Sequence, residues 1–393
     1  MSKPLRVLGT LVGDIRRKPD MRIKYGSFFE AISRQMDLLE VYDASLTGID
    51  RYWVAMQSFS PSISRWKGRY FKNIPAFKLR SKMASRHFHE WKGRADVILQ
   101  LGVLFDSTSN NVDLPVVLYT DNTTMISARH PDPARHPFSK KELMEWLELE
   151  TGVYQRAAHI HVRAEIVKRS LMQDYHIQPE RISVIGAGVN SKVLPVLPHR
   201  SERSDFTALF IGTDFLRKGG DLALLAFARL HKLHPQTRLV LVTKDPIPAR
   251  FPLEGVQVLA PIWERPVLES LYAQADVFML PSRMETWGDV LLEAMSFGLP
   301  CIGVSGQAME DIILQEKTGL LVAPEDVDQL AEALIRLFEQ PDLRQNMGQA
   351  GRRLVENEFT WDRVAERIFP ILWAVTRQNP VSDRLPSLER ISI

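Results

Sequence analysis

Cysteine is nearly missing from this chain: Cys301 is the only one in 393 residues. That excludes an intramolecular disulfide and a multi-cysteine metal site, and it predicts a cytoplasmic address, where thiols stay reduced. Long apolar runs are lacking too. None reaches the roughly 18 residues of a spanning helix, and the opening MSKPLRVLGTLVGDIRRKP is too briefly apolar for a secretory signal. Membrane contact is therefore expected to be peripheral, on the inner face of the cell membrane. No low-complexity tract or fixed-period repeat interrupts the sequence, which excludes solenoids and extended disorder. No acidic D-x-D cluster stands at a strand end to hold Mg²⁺ or Mn²⁺, and no carboxylate pair resembles a hydrolase acid and nucleophile. No metal, cofactor or nucleic-acid partner is called for.

With 45% hydrophobic and 25% charged residues the chain belongs to the globular class, and its length suits two α/β domains. Short β-branched runs alternate with amphipathic stretches, the pattern of parallel strands and crossover helices. Strands are predicted at 6–10, 38–42, 96–101, 115–120, 159–163 and 181–186, with helices at 26–36, 77–92, 139–156 and 164–175. After Val193 the proline-containing stretch LPVLPHRSERSD reads as a linker between domains at 1–195 and 205–360. The second half repeats the theme with strands at 207–212, 238–243, 256–260, 276–281, 300–304 and 319–322. Its helices are expected at 219–233, 266–274, 288–297, 308–315, 325–339 and 342–357. Two doubly wound sheets leave a cleft at their strand ends, where ligands of such folds bind.

Net charge is only +3, but it is unevenly spread. Between Arg51 and Ala95 stand eleven Lys or Arg against one acid, Glu90, interleaved with Trp66, Tyr70, Phe71, Phe77, Phe88 and Trp91. That mixture fits a surface lying on anionic lipid, and equally a solvated basic face.

The segment LPSRMETWGDVLLEAMSFGLPCIG, Leu280 to Gly303, carries the strongest chemical signal. Pro281 and Ser282 end a strand, Gly288 opens a helix, and Gly298 with Pro300 closes it. The amides at 288–291 are expected to lack helical partners, which makes a seat for a diphosphate. Glu285 and Glu293 flank this start and can accept hydrogen bonds from sugar hydroxyls. Glu142 with Glu150, and Glu358 with Glu366, share the spacing and read as surface helix pairs. The strand–loop–helix setting and the Trp287-Gly288 pair single out Glu285 and Glu293; a capped core helix with incidental acids is the plainer reading.

This segment resembles the E-x7-E signature of glycosyltransferase family 4, retaining enzymes of the GT-B fold, in which two Rossmann-like domains face a central cleft. The resemblance implies that Glu293 binds the ribose, that Glu285 faces the transferred sugar, and that Val290 and Leu291 offer amides to the diphosphate. Thr286, Trp287, Gly288 and Asp289 fall within the same donor stretch. A second segment, LFIGTDFLRKGGDLALLAF from Leu209 to Phe227, resembles the family's first C-domain loop, with Gly212 and Lys218 at the matching positions. Adjacent cations there can neutralise a leaving diphosphate without a metal. Many relatives carry Arg after that glycine where this chain has Thr213; Arg217 is the candidate replacement, a solvated basic turn the alternative.

In the first half, Asp121 follows a strand directly and is the candidate to contact donor sugar and acceptor, with Asn122 and Thr123 beside it; an Asp capping a turn is the alternative. Relatives place a glycine pair between first strand and first helix. Here Gly13 and Gly26 are split by a basic insertion (Arg16, Arg17, Lys18, Arg22, Lys24), and Gly26 is the better match. ERISVIGAGVN, 180–190, resembles the approach to the hinge, and the helix near 361–378 is expected to cross back to the N-domain. The resemblance implies transfer of a hexose-type sugar from a UDP, GDP or ADP sugar to a sugar or lipid-linked hydroxyl, in cell-surface polysaccharide or glycolipid synthesis. An epimerase, a phosphorylase or disaccharide-phosphate synthase, and a non-catalytic donor-binding partner of another transferase are the rivals.

Overall fold

The computed structural model describes residues 4–15, 25–109, 112–130, 137–191, 193–197 and 205–377. The chain separates into two compact units, Met1–Gly186 with Val364–Ile393, and Ala187–Arg363. Each is built on a six-stranded, wholly parallel sheet.

The first sheet contains β1 (Arg6–Leu11), β2 (Asp37–Asp43), β3 (Val97–Leu101), β4 (Val116–Thr120), β5 (His159–Val162) and β6 (Ile182–Val184), in the order β2-β1-β3-β4-β5-β6. The second contains β7 (Thr207–Ile211), β8 (Arg238–Val242), β9 (Val256–Leu259), β10 (Val277–Met279), β11 (Cys301–Val304) and β12 (Gly319–Val322), in the order β12-β11-β10-β7-β8-β9. Residues of β3 and β4 are buried throughout, as parallel strands covered on both faces must be. The two sheets share a pin. Asp96 accepts the amide of Arg6 and Asp276 that of Thr207, each at 2.8 Å, so an aspartate fixes the start of the central strand pair in both units. The strand order reverses between β1 and β3 in one unit and between β7 and β10 in the other. Such switch points are where open α/β sheets bind ligands.

All twelve predicted strands form. Four helical expectations change. Helices Gly48–Gln57, Ile63–Phe71 and Thr124–Arg129 were not foreseen, and 308–315 is only a 3-10 turn at Ala308–Asp311. Gly48–Gln57 buries only Val54 and Ile63–Phe71 buries nothing, so neither turns an apolar stripe to the core. At 308–315 the amides of Ile312 and Ile313 both turn back to the Met309 carbonyl, at 3.2 and 2.8 Å, which closes the turn. The helix expected at 77–92 is Ile74–His89, started by Asn73, whose side chain accepts the Ala76 amide at 2.7 Å. Phe77 and Phe88, read as lipid-facing, are 4% and 1% exposed and belong to the core. Glu150, read as a surface residue, is buried as well.

In β5, His159 donates to or accepts from Ser183 Oγ at 2.8 Å, while both ring nitrogens of fully buried His161 make no hydrogen bond among the described residues. Burial pushes His159 down to about 4 and His161 well below the ordinary histidine value. The unfolded chain binds protons at these rings below pH ~6.5 and the native chain does not, so stability is present above that pH and lost as pH falls. The urea midpoint should drop between pH 7 and pH 5, with a limiting slope of about 1.4 kcal/mol per pH unit per ring. His161→Leu should flatten the profile; an unchanged slope would show that the ring is already protonated in the native state.

Candidate functional site

In Ala187–Arg363 the site grows from the loops that follow β7 and β10, the two strands at the switch point. Gly212 ends β7 with no room for a side chain: a Cβ there would lie 2.7 Å from Lys218 Cβ. Gly219, at φ 75°, caps the helix Gly220–Leu233, and a Cβ on it would sit 1.9 Å from the Pro281 carbonyl oxygen. Only glycine meets both conditions. The loops are then stitched together. Arg283 donates its amide to the Arg217 carbonyl at 2.9 Å, and Arg217 Nη1 donates to the Met284 carbonyl at 3.3 Å. Arg283 also forks onto Asp221 at 2.7 and 2.9 Å and pairs with Glu325 at 2.8 Å.

This stitching brings Lys218 Nζ onto Glu285 Oε2 as an ion pair, with both side chains largely withdrawn from solvent. The Glu285 amide is fixed by Gln307 Oε1 at 3.2 Å. Arg217 is held at 2.9 Å by Asp214, so the cation proposed to replace the residue missing at Thr213 is partly neutralised in place, while Thr213 itself is exposed.

Gly288 caps the helix Asp289–Ser296 in a left-handed conformation, φ 116°. One of the expected open amides is spent: Leu291 N–H donates to the Gly288 carbonyl at 2.9 Å, because the first turn is tightened, and the Leu291 side chain is buried. Asp289 and Val290 are half-buried at the helix start. Thr286 and Trp287 are buried, and the Trp287 indole nitrogen has no hydrogen-bond partner among the described residues. Glu293, 7% exposed, is gripped from both sides: Arg265 Nη1 donates to Oε1 at 3.1 Å and the Tyr272 hydroxyl to Oε2 at 3.0 Å. Burial raises its pKa above the ordinary carboxylate value, against the pull of Arg265 and Tyr272.

In the other unit, a cavity of about 240 Å³ lies at the carboxyl ends of β1, β3 and β4. Asp121 lines it together with Lys72, Glu150, Arg163 and Tyr119. The helix after β4 is capped by Thr123, whose Oγ1 accepts the Ile126 amide at 3.2 Å. Asn122 turns to Ser127 Oγ at 2.8 Å. Glu150 takes hydroxyl hydrogen bonds from Tyr175 at 2.6 Å and Tyr154 at 3.2 Å, and burial raises its pKa. Arg163, 2% exposed, lies over the Tyr119 ring at 5.5 Å. Gly26 has ordinary right-handed helical backbone (φ −62°), whereas Gly13, at φ 133°, holds the conformation that favours glycine. The basic residues 16–24 lie outside the described residues.

Residues 198–354 match the family described as glycosyl transferases group 1. The chain is 34% identical over 175 residues to a GDP-mannose-dependent monoacylated alpha-(1-6)-phosphatidylinositol monomannoside mannosyltransferase of Corynebacterium glutamicum, covering 41% of this chain and 45% of that one. The chain spans about half the length of the curated relatives it matches. In structure it is similar to sucrose-phosphate synthase from Thermosynechococcus elongatus (TM-score 0.68, 18% identity, 95% and 100% coverage). It is also similar to Anabaena HepE in complex with UDP-glucose (TM-score 0.61, 16% identity, 94% and 100% coverage). The fold is that of the GT-B glycosyltransferases, with two parallel sheets.

Within the group 1 segment, sequence reasoning missed Arg265, Tyr272, Gln307 and Asp214. Arg265, Glu269 and Tyr272 stand at i, i+4 and i+7 of one helix, and Arg265 pairs with Glu269 at 2.7 Å. That polar stripe is the signal that could have disclosed them. In the other unit Glu150 was missed although it sits among Trp146, Val153 and Tyr154 on the buried stripe of its helix.

Proposed function

We propose that this chain is a retaining, metal-independent glycosyltransferase of family 4, moving a hexose-type sugar from a nucleoside diphosphate donor to a hydroxyl acceptor. The observation that carries the reading is the Lys218–Glu285 pair at the sheet's switch point, beside the Gly288 helix start. A pyrophosphate seated there meets the Lys218 ammonium, the helix start and the adjacent indole donor of Trp287. Glu293, preset by Arg265 and Tyr272, retains lone pairs for ribose hydroxyls. In the reaction the acceptor oxygen bonds to the anomeric carbon as the bond to the diphosphate oxygen breaks. That departing oxygen takes the hydroxyl proton on the same face, which preserves configuration. Asp121, in its cavity with Arg163 and Glu150, contacts the acceptor. UDP-glucose in HepE and GDP-mannose in the corynebacterial relative's name make UDP and GDP sugars the leading donors, ahead of ADP sugars.

A second reading, a non-catalytic donor-binding partner of another transferase, draws on Thr213 and on the Asp214 carboxylate that holds Arg217. Both readings require nucleotide binding. Thermal shift with UDP, GDP and ADP should raise Tm for at least one, by roughly 2.7 kcal/mol of stabilisation at a hundredfold excess over Kd. No shift with any nucleotide would remove both, and labelled-sugar transfer to a lipid or glycan extract separates them.

A further inference from the structure

The helices Gly48–Gln57 and Ile63–Phe71 are amphipathic in the wrong sense for a globular domain. On the first, Ile49, Tyr52, Trp53 and Met56 recur at i, i+3, i+4 and i+7, so they share one face, and that face is exposed: 85%, 71%, 42% and 71%. The inward face offers only Val54. On the second helix Ile63, Trp66 and Phe71 are exposed as well, and Phe59 joins them from the connection. The two helices form one surface. Trp66 Nε1 donates to the Ala55 carbonyl at 2.8 Å, and the Phe59 and Trp66 rings meet edge to face at 5.8 Å.

Scattered exposed apolar residues need no explanation, but eight large ones on two adjoining helices and their connection do. The accompanying charge narrows the occupant. Residues 48–72 hold five cations, Arg51, Arg65, Lys67, Arg69 and Lys72, against the single acid Asp50. A second copy of the chain would bring like charge to like across a two-fold contact. A nucleic-acid backbone would take the cations and leave the apolar face wet. An anionic bilayer takes both, with aromatic and aliphatic groups at the level of the headgroups and cations on the lipid phosphates. No helix among the described residues is long and apolar enough to cross a membrane, so contact of this kind lies in the interface plane.

We infer that the helix pair at 48–71 is a docking surface for an anionic lipid bilayer. Lys72, which ends the second helix, lines the 240 Å³ cavity beside Asp121 and also a neighbouring cavity of about 180 Å³ bounded by Gln57, Arg69 and Phe138. The surface and the cavity therefore share a residue. Under the transferase reading, on which this last step rests, the acceptor is a hydroxyl compound carried by a lipid. The docking itself is tested without any donor.

The test is flotation of the full chain with vesicles of phosphatidylcholine alone or with phosphatidylglycerol added. The chain is expected to float with the anionic vesicles, to stay behind with the neutral ones, and to be released as salt rises well above the ~0.1 M at which surface charges are screened over about 10 Å. The combined variant Ile49→Ser, Tyr52→Ser and Met56→Ser should lose binding roughly tenfold or more, with unchanged circular dichroism. Arg65→Gln with Lys67→Gln, which leaves the apolar face intact, should weaken anionic-vesicle binding as well and serves if the first variant misfolds. Nucleotide-induced thermal shift should be the same in all of them, which separates failure of this inference from failure of the transferase reading. Equal flotation with both vesicle types, absence of flotation, or undiminished binding by the variants would overturn it.

Discussion

Replacing Lys218 by alanine is expected to lower kcat by about 10²- to 10³-fold, the loss seen when one preorganised donor is removed from developing negative charge. The substitution does two things that must be separated. It strips the ammonium from the diphosphate seat, and it leaves Glu285, 8% exposed, without the cation it touches. An uncompensated buried charge costs about 3–5 kcal/mol, so the alanine variant should also melt earlier. Pairing Lys218→Met with Glu285→Gln removes both charges and should recover most of the stability. Turnover should not recover with it. Steady-state kinetics beside thermal melts would read both, and a double variant that regains activity would assign the pair a purely structural part.

The second large effect is expected at Gly219. Gly306 offers an internal control, since both glycines have nearly the same left-handed backbone, φ 75° and 76°. They differ in space: nothing lies within 4 Å of a Cβ on Gly306, whereas on Gly219 it would stand 1.9 Å from the Pro281 carbonyl oxygen. Gly306→Ala should therefore cost only the backbone strain, about 1 kcal/mol. Gly219→Ala adds a collision with main chain that cannot rotate away, and should cost roughly 3 kcal/mol or more. It should also part the loops that bring Lys218 to Glu285, so nucleotide binding falls with stability. Chemical denaturation of the two alanine variants gives the comparison; equal losses would mean that the Pro281 loop yields freely.

Both effects concern residues visible in the sequence, and the reason is local. A glycine at a strand end, another at a helix start and an acid just before a helix are marked by their local setting, although Lys218 meets Glu285 and Gly219 meets Pro281 only across the fold. The strands were legible for a similar reason, because a parallel strand covered on both faces must be an apolar run, as VVLYT at β4 is. What escaped depended on distant partners. Glu293 is separated by 28 residues from Arg265 and by 21 from Tyr272, so the polar stripe on the Arg265 helix marks a face but does not name the carboxylate it meets. Glu150 looked like a solvated helix acid until Tyr154, Tyr175 and the Thr124 amide closed around it.

The basic region shows the same division. Its composition pointed to a surface, but only the fold assigned its parts: Phe77 and Phe88 went to the core, and Ile49 and Met56, which composition had passed over, became the exposed face. A helix whose apolar stripe turns outward has the same sequence period as one whose stripe turns in. Arg217, the candidate replacement for the cation missing at Thr213, is bound to Asp214 and to the Met284 carbonyl.

Under the proposed function, the phosphates of a nucleotide rest on Lys218 beside the helix that starts at Gly288. Calorimetric titration of the preferred nucleoside diphosphate and its monophosphate, into the native chain and into Lys218→Ala, tests it most directly. The native chain should favour the diphosphate by roughly tenfold or more, the worth of a charged hydrogen bond, and the variant should lose most of that preference. An equal preference in both proteins would show that Lys218 does not hold the phosphates.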